Sequence, residues 1–126
     1  MTDNNKPIIS ITWFGTTFGV VIETDNERFA IQAGYPSYRC TWDDAMRLYR
    51  SNGWSLPTVN QLLIVSQYKD AINALIKEYE GYEIKGWLWS NEEADEKYAF
   101  GVSMTKDYFE FGRKDKSHNV RAVYNM

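Results

Sequence analysis

Three places in this 126-residue chain hold residue types that could do chemistry. The first is His118, the only histidine. An imidazole can act as general base or metal ligand, and any Ser-His-Asp arrangement here must use this one. It lies in a polar turn ahead of an apolar segment, and no strand-turn-helix motif presents a serine nucleophile. His118 therefore reads as a surface residue. The second is Cys40, the only cysteine. Alone it excludes an internal disulfide and any multi-cysteine metal site, and it reads as a small, semi-buried side chain just before a helix. The third is the acidic run Asn91 to Glu96 (NEEADE), with four carboxylates in six residues. Calcium takes roughly six to eight oxygen ligands, but the Asp/Asn/Gly spacing of a calcium loop is missing, so the run reads as a solvated loop. Gly15 and Gly19 lack the lysine and helix start of a phosphate loop, and nothing singles out a carboxylate pair for glycoside hydrolysis. The expectation is a protein with no catalytic set, no metal and no cofactor, hence not an enzyme.

Composition points the same way. Five Trp, nine Tyr and six Phe make the chain 16% aromatic, more than one small core takes up. Some of these rings are expected at the surface, where Tyr and Trp serve as binding residues. A net charge of −3 argues against a nucleic-acid partner, which favours a basic face. The one basic cluster, Arg113 to Lys116 (RKDK), is interrupted by Asp115 and reads as a solvated turn. No apolar stretch approaches the length of a membrane span, so no membrane insertion is expected. The start, MTDNNKPIIS, lacks a basic region followed by an apolar block. Location stays open between the cytoplasm by default and a phage particle or cell surface.

The elements that must position these residues follow from periodicity. The length suits one domain, residues 1–126, with residues 1–7 flexible. Ile8 to Phe14, Phe18 to Glu23 and Phe29 to Gln32 read as strands, with TDNER (24–28) as a hairpin turn. A loop rich in Gly, Pro and Tyr (33–40) leads to Thr41, a candidate N-cap for the helix TWDDAMRLYRSNG. Its apolar side is expected at Ala45, Met46, Leu48 and Tyr49, its basic last turns at Arg47 and Arg50, and its stop at Gly53. In GWSLPT, Leu56 must be extended before Pro57, and Thr58 starts a second helix with Gln61 completing a capping box. Leu62, Val65, Ile72, Leu75, Ile76 and Tyr79 keep helical spacing up to Gly81, with a possible break at 67–70. The rest alternates as short strands: Trp87 to Ser90, Tyr98 to Met104, Tyr108 to Phe111 and Val120 to Tyr124, an antiparallel meander. Strands, helix, helix, strands is an α+β order.

Three stretches carry a resemblance to a known family. GWSLPTVNQL resembles its W-R-L-P-T-x-x-E-L. GWLWSNEEADEKYAFGV resembles Y-W-S-S-x-E followed by a Y-A-W-x-V strand. SHNVRAVY resembles the closing R-V-R-x-V-R. With GVVIETDNERFAIQ ahead of TWDDA, the similarity covers roughly residues 18–125 in order. The family is the bacterial C-type-lectin-like domain of unknown function typified by the C-terminal domain of Lcl-type adhesins, similar also to variable proteins of diversity-generating retroelements. The resemblance implies a C-type-lectin-like fold: two helices flanking a small antiparallel sheet, paired N- and C-terminal strands, and a ligand face on Trp87 to Asn119. Ser55, Gln61 and Tyr124 depart from the family's Arg, Glu and Arg. The calcium and glycan motifs of animal C-type lectins are absent, so calcium-dependent sugar binding is not implied.

The resulting expectation is a calcium-independent, non-enzymatic module that recognises an unknown glycan or protein surface through its C-terminal strands and turns. Its candidate ligand contacts are Trp87, Tyr98, Tyr108, Glu110, Arg113 and His118. In the strand YFEF, Tyr108 and Glu110 are expected outside, with Phe109 and Phe111 on the buried face. Structural anchors are Trp54, Leu56, Pro57, Trp89, Val120 and Arg121, with Trp54, Leu56 and Trp89 buried. The alternative expectation is a structural or assembly component of a phage particle or surface appendage, in which oligomers are possible.

Overall fold

The computed structural model describes residues 6–49 and 53–126. Ten strands and three helices follow one another as β1 (Ile8–Phe14), β2 (Thr17–Glu23), β3 (Arg28–Gln32), β4 (Tyr38–Cys40), α1 (Trp42–Leu48), β5 (Trp54–Ser55), α2 (Val59–Gln67), α3 (Lys69–Glu78), β6 (Trp87–Glu93), β7 (Tyr98–Ser103), β8 (Phe109–Arg113), β9 (His118–Val120) and β10 (Val123–Asn125). The fold is mixed α+β with two five-stranded sheets, ordered β1-β2-β3-β10-β5 and β4-β9-β6-β7-β8. Pairing is antiparallel throughout, except for a parallel contact of β6 with β9 at Leu88 and Asn119.

Local chemistry explains several elements. Gly15, at φ 66, takes the left-handed position in the two-residue turn between Phe14 and Thr17. The Thr58 hydroxyl accepts from Gln61 N at 3.0 Å, and Gln61 Oε1 accepts from Thr58 N at 3.0 Å, so the expected capping box forms. The Gln61 amide also donates to Asn125 Oδ1 at 2.7 Å, tying α2 to β10. The long helical pattern does break, at Tyr68, so three helices replace the expected two. Thr41 has the extended N-cap conformation without a side-chain cap bond, and α1 ends at Leu48, which is exposed. The expected last turn at Arg50 lies outside the described residues. Tyr79 is also exposed, edging onto Phe18.

The closing segment departs most from expectation. It is two strands, not one. Val120 ends β9 in the second sheet, Arg121 and Ala122 cross over, and Val123 begins β10 in the first. The C-terminal strand pairs with β3 and β5, while β1, at the sheet's edge, pairs with β2; among the described residues the terminal strands do not pair directly.

The second sheet has a core on each face. Leu88 and Val102 join Val20, Ile22, Phe29 and Ile31 of the first sheet and Leu62, Val65, Ile72 and Ile76 of the helices. Trp89 and Ala99, of opposite parity to Leu88 and Val102, and Val120, next to the Asn119 that pairs with Leu88, pack with Cys40, Trp42, Ala45 and Leu56. Among the described residues no helix is long and apolar enough to cross a membrane.

Candidate functional site

The stretches GWSLPT and GWLWSNE meet directly. Asn91 N donates to Pro57 O at 2.8 Å, and Val59 N donates to the Glu92 carboxylate at 2.7 Å. Glu92 thus places negative charge at the positive end of α2. Two more members of the acidic run are engaged: Glu93 pairs with Lys114, and Asp95 Oδ1 accepts from Lys97 N and Tyr98 N, both at 2.8 Å, in a local turn. The run is partly strand, since β6 extends to Glu93. Trp42 Nε1 donates to Ser90 O at 2.9 Å and Trp89 Nε1 to Cys40 O at 3.1 Å, so both buried indoles lock β6 to the segment leading into α1.

Of the expected anchors, Leu56, Pro57, Trp89, Val120 and Arg121 are buried. Trp54 is not: it is half-exposed, edge-on to Phe14 at 4.8 Å and to Tyr124 at 5.4 Å. Register is the reason. Trp54 sits opposite Tyr124, whose neighbour Val123 takes the buried face of β10, so both rings share the outer face.

The six expected ligand contacts are split by β8. This strand ends the second sheet, and no described residue pairs with its outer edge along Phe109 to Gly112. On one face lie Trp87, Glu110 and His118 together. The His118 ring is 4.3 Å from Trp87 and 5.0 Å from Trp89, and the two indoles meet edge-to-face at 5.0 Å. Trp87 Nε1 donates to Glu110 Oε1 at 3.2 Å, and Lys106 Nζ pairs with Glu110 Oε2 at 3.1 Å. The Trp87 ring lies across Gly101 of β7 and Gly112 of β8: a Cβ on Gly101 would come within 2.2 Å of it, and one on Gly112 within 3.2 Å. Burial, and after it the charge of Arg39, hold the His118 pKa below its ordinary 6.5. His118 is therefore a half-buried, ring-packed residue, not the solvated one its polar turn suggested.

The opposite face holds Tyr98, Phe100, Phe109 and Phe111. Phe111 packs edge-on to Tyr98 at 5.4 Å and to Phe100 at 6.3 Å, and Phe109 to Phe100 at 5.5 Å. Phe109 and Phe111 are 51% and 64% exposed, so the expected burial of YFEF is reversed. Glu110 is the half-buried member, because the β8 face it shares with Gly112 is the one Trp87 covers. Tyr108 is exposed in the β7–β8 turn, as expected. Arg113 is held by a two-pronged contact with Asp115 (Nε to Oδ1 3.1 Å, Nη2 to Oδ2 2.9 Å), which raises its pKa. It borders an open cleft of about 480 Å³ whose charges include the Arg113–Asp115 and Arg47–Asp44 pairs. Lys114, expected to be solvated, has a side chain only 11% exposed, with Nζ 4.8 Å above the Trp42 ring.

Sequence reasoning missed Phe109 and Phe111 as surface residues with the half-buried Phe100 beside them, and Arg39 and Lys106 as neighbours of the His118–Glu110 face. Strand alternation separates Phe109 and Phe111 from Glu110, but it does not say which set faces water.

A scan of the chain against models of known protein families finds no match, and a search of curated proteins finds none either.

Proposed function

We propose that this chain is a calcium-independent, non-enzymatic binding module whose ligand surface is the aromatic edge formed by β7 and β8. The observation that carries the reading is the pair Phe109 and Phe111, both more than half exposed on an edge strand and backed by Tyr98 and Phe100. Contiguous exposed apolar surface of this kind marks interaction sites. An open strand edge adds a row of backbone donors and acceptors for strand addition. Between glycan and protein, the ring types favour a protein surface. Phenylalanine anchors an apolar contact but brings no polar handle to sugar hydroxyls, and the nearby Arg113 is engaged by Asp115. The C-type-lectin-like assignment belongs to the same reading. It is supported by the closure of the C-terminal strand onto the N-terminal sheet and by the contact between the GWSLPT and GWLWSNE stretches.

The test is capture on immobilised protein, screening glycan arrays and protein pools with and without calcium, alongside a Phe109→Ser/Phe111→Ser variant. The expected result is a protein ligand retained by the native chain, without need of calcium, and lost on the variant. Equal retention by both forms would remove this edge as the site. Tyr108 with Glu110 is the poorer pair to change, since Glu110 is turned beneath Trp87.

A second reading, an assembly component, draws on a separate observation. The edge strand of the other sheet, β1, also exposes large apolar residues, Ile8 at 65% and Trp13 at 57%. Two open apolar edges on different sheets suit head-to-tail contacts between copies. Light scattering across a concentration series decides: growth in mass that Trp13→Ser abolishes supports assembly, and a constant monomer mass counts against it.

A further inference from the structure

Arg121 is 2% exposed and has no ion-pair partner among the described residues. Its guanidinium is held by neutral oxygens from three segments. Nε donates to Ser37 Oγ at 2.8 Å, Nη1 to Gln32 O at 2.9 Å, and Nη2 to Glu83 O at 2.8 Å. These bonds staple the loops after β3 and α3 to the β9–β10 crossover, and they use three of the five N–H groups an arginine carries. A buried cation without a counter-charge is costly. Desolvation accordingly pulls the Arg121 pKa down to about 10, with Tyr49 acting in the opposite direction.

Arg121 stands in the wall of a pocket of about 320 Å³, whose lining also includes Ser37 and Glu83, the partners of its Nε and Nη2, with Tyr82, Lys85 and Asn119. That volume is at the small end of ligand pockets, roughly 300–1,000 Å³. The Glu83 carboxylate is turned toward Lys77, 3.9 Å away, and Lys85 has no carboxylate partner among the described residues. The lining residues thus carry two cations, Arg121 and Lys85, against one carboxylate, Glu83, which Lys77 offsets, with a hydroxyl, a side-chain amide and the exposed ring of Tyr82 beside them. It adjoins β9, separated from the β8 edge by β6 and β7, so it is independent of the aromatic surface.

We propose that this pocket is a binding site for a small carboxylate ligand, whose carboxylate accepts from the unused N–H groups of Arg121 while Lys85 adds charge and Tyr82 covers the ligand's carbon skeleton. The planar guanidinium fork matches a carboxylate's two oxygens. The ligand supplies the negative charge that the fold itself does not place beside Arg121.

The experiment is a titration of the full, ¹⁵N-labelled chain with sodium acetate, sodium glucuronate, sodium sulfate and sodium chloride at constant ionic strength, following the Arg121 Nε–H resonance. Acetate and glucuronate are expected to shift it saturably. Chloride is expected to leave it in place, and sulfate to bind more weakly. Lys85→Glu, a change at the pocket lining that leaves the Arg121 staple intact, is expected to weaken the carboxylates about tenfold or more. Absence of a saturable shift, equal affinity in Lys85→Glu, or sulfate binding as tightly as the carboxylates would each overturn the proposal.

Discussion

Both faces of the β6–β8 corner are rich in rings, yet they are in opposite physical states. On one, Trp87, Trp89 and His118 pack against each other and over glycines, with every indole N–H donated and Glu110 drawn in as acceptor. On the other, Phe109 and Phe111 are more than half exposed, in ring contact with Tyr98 and Phe100. The first face is closed further in by α1 and the segment before it, through Trp42 and Ala45. On the second, the apolar side of α2 packs on Leu88 and Val102, and its end reaches the β7–β8 turn through Ser66 and Asp107. Aromatic content alone therefore does not mark a binding surface; what marks one is rings left without a covering layer and without satisfied polar partners.

This comparison can be broken in graded steps. The largest effect is expected for Trp89→Ala. It removes a fully buried ring and orphans the Cys40 carbonyl, and it should cost about 3–5 kcal/mol in urea denaturation. A loss below that of an ordinary surface change would mean this face is not a core. Gly101→Ala comes next. The added Cβ would meet Leu88 O at 2.5 Å and the Trp87 ring at 2.2 Å, so a loss of about 1–3 kcal/mol and a shift in tryptophan emission are expected. The ring can swing aside but the backbone oxygen cannot.

A smaller effect concerns pH. The folded His118 binds its proton less readily than the unfolded chain does, because burial and Arg39 disfavour the charged form. The unfolded state then holds more protons in the window between the lowered folded value and 6.5, so stability rises with pH across that window. It is fully present above the window and declines as pH falls through it. His118→Gln should flatten this slope in thermal melts; an unchanged slope would assign it to other groups. Smallest of all should be Phe109→Ser with Phe111→Ser, whose cost in stability is expected to stay under about 1 kcal/mol. A loss of several kcal/mol would show that these rings hold the sheet together and are not a free surface.

How far the sequence could be read depends on the range of the forces involved. The capping box at Thr58 and Gln61 and the break near Tyr68 are local, involving neighbours a few residues apart, and they were legible. So was the α+β order of elements, since hydrophobic period reports the kind of element directly. The parity of YFEF was legible too, but its sign was not. A strand alternating between two faces reads the same whichever face is covered. The sign was set by α2 stopping short of Phe111 and by Trp87 lying on Gly101 and Gly112, contacts between residues far apart in the chain.

His118 and Arg121 carry the same lesson at the scale of single side chains. Composition identified one histidine and an arginine between apolar neighbours. Nothing in either neighbourhood along the chain foretold an imidazole packed against two indoles, or a guanidinium buried among neutral oxygens from segments up to 89 residues away. Elements and their faces follow from short-range propensity and period. Burial, ionisation and the choice of open edge follow from which layers come to rest on them, and that is settled only when the two sheets and three helices share cores.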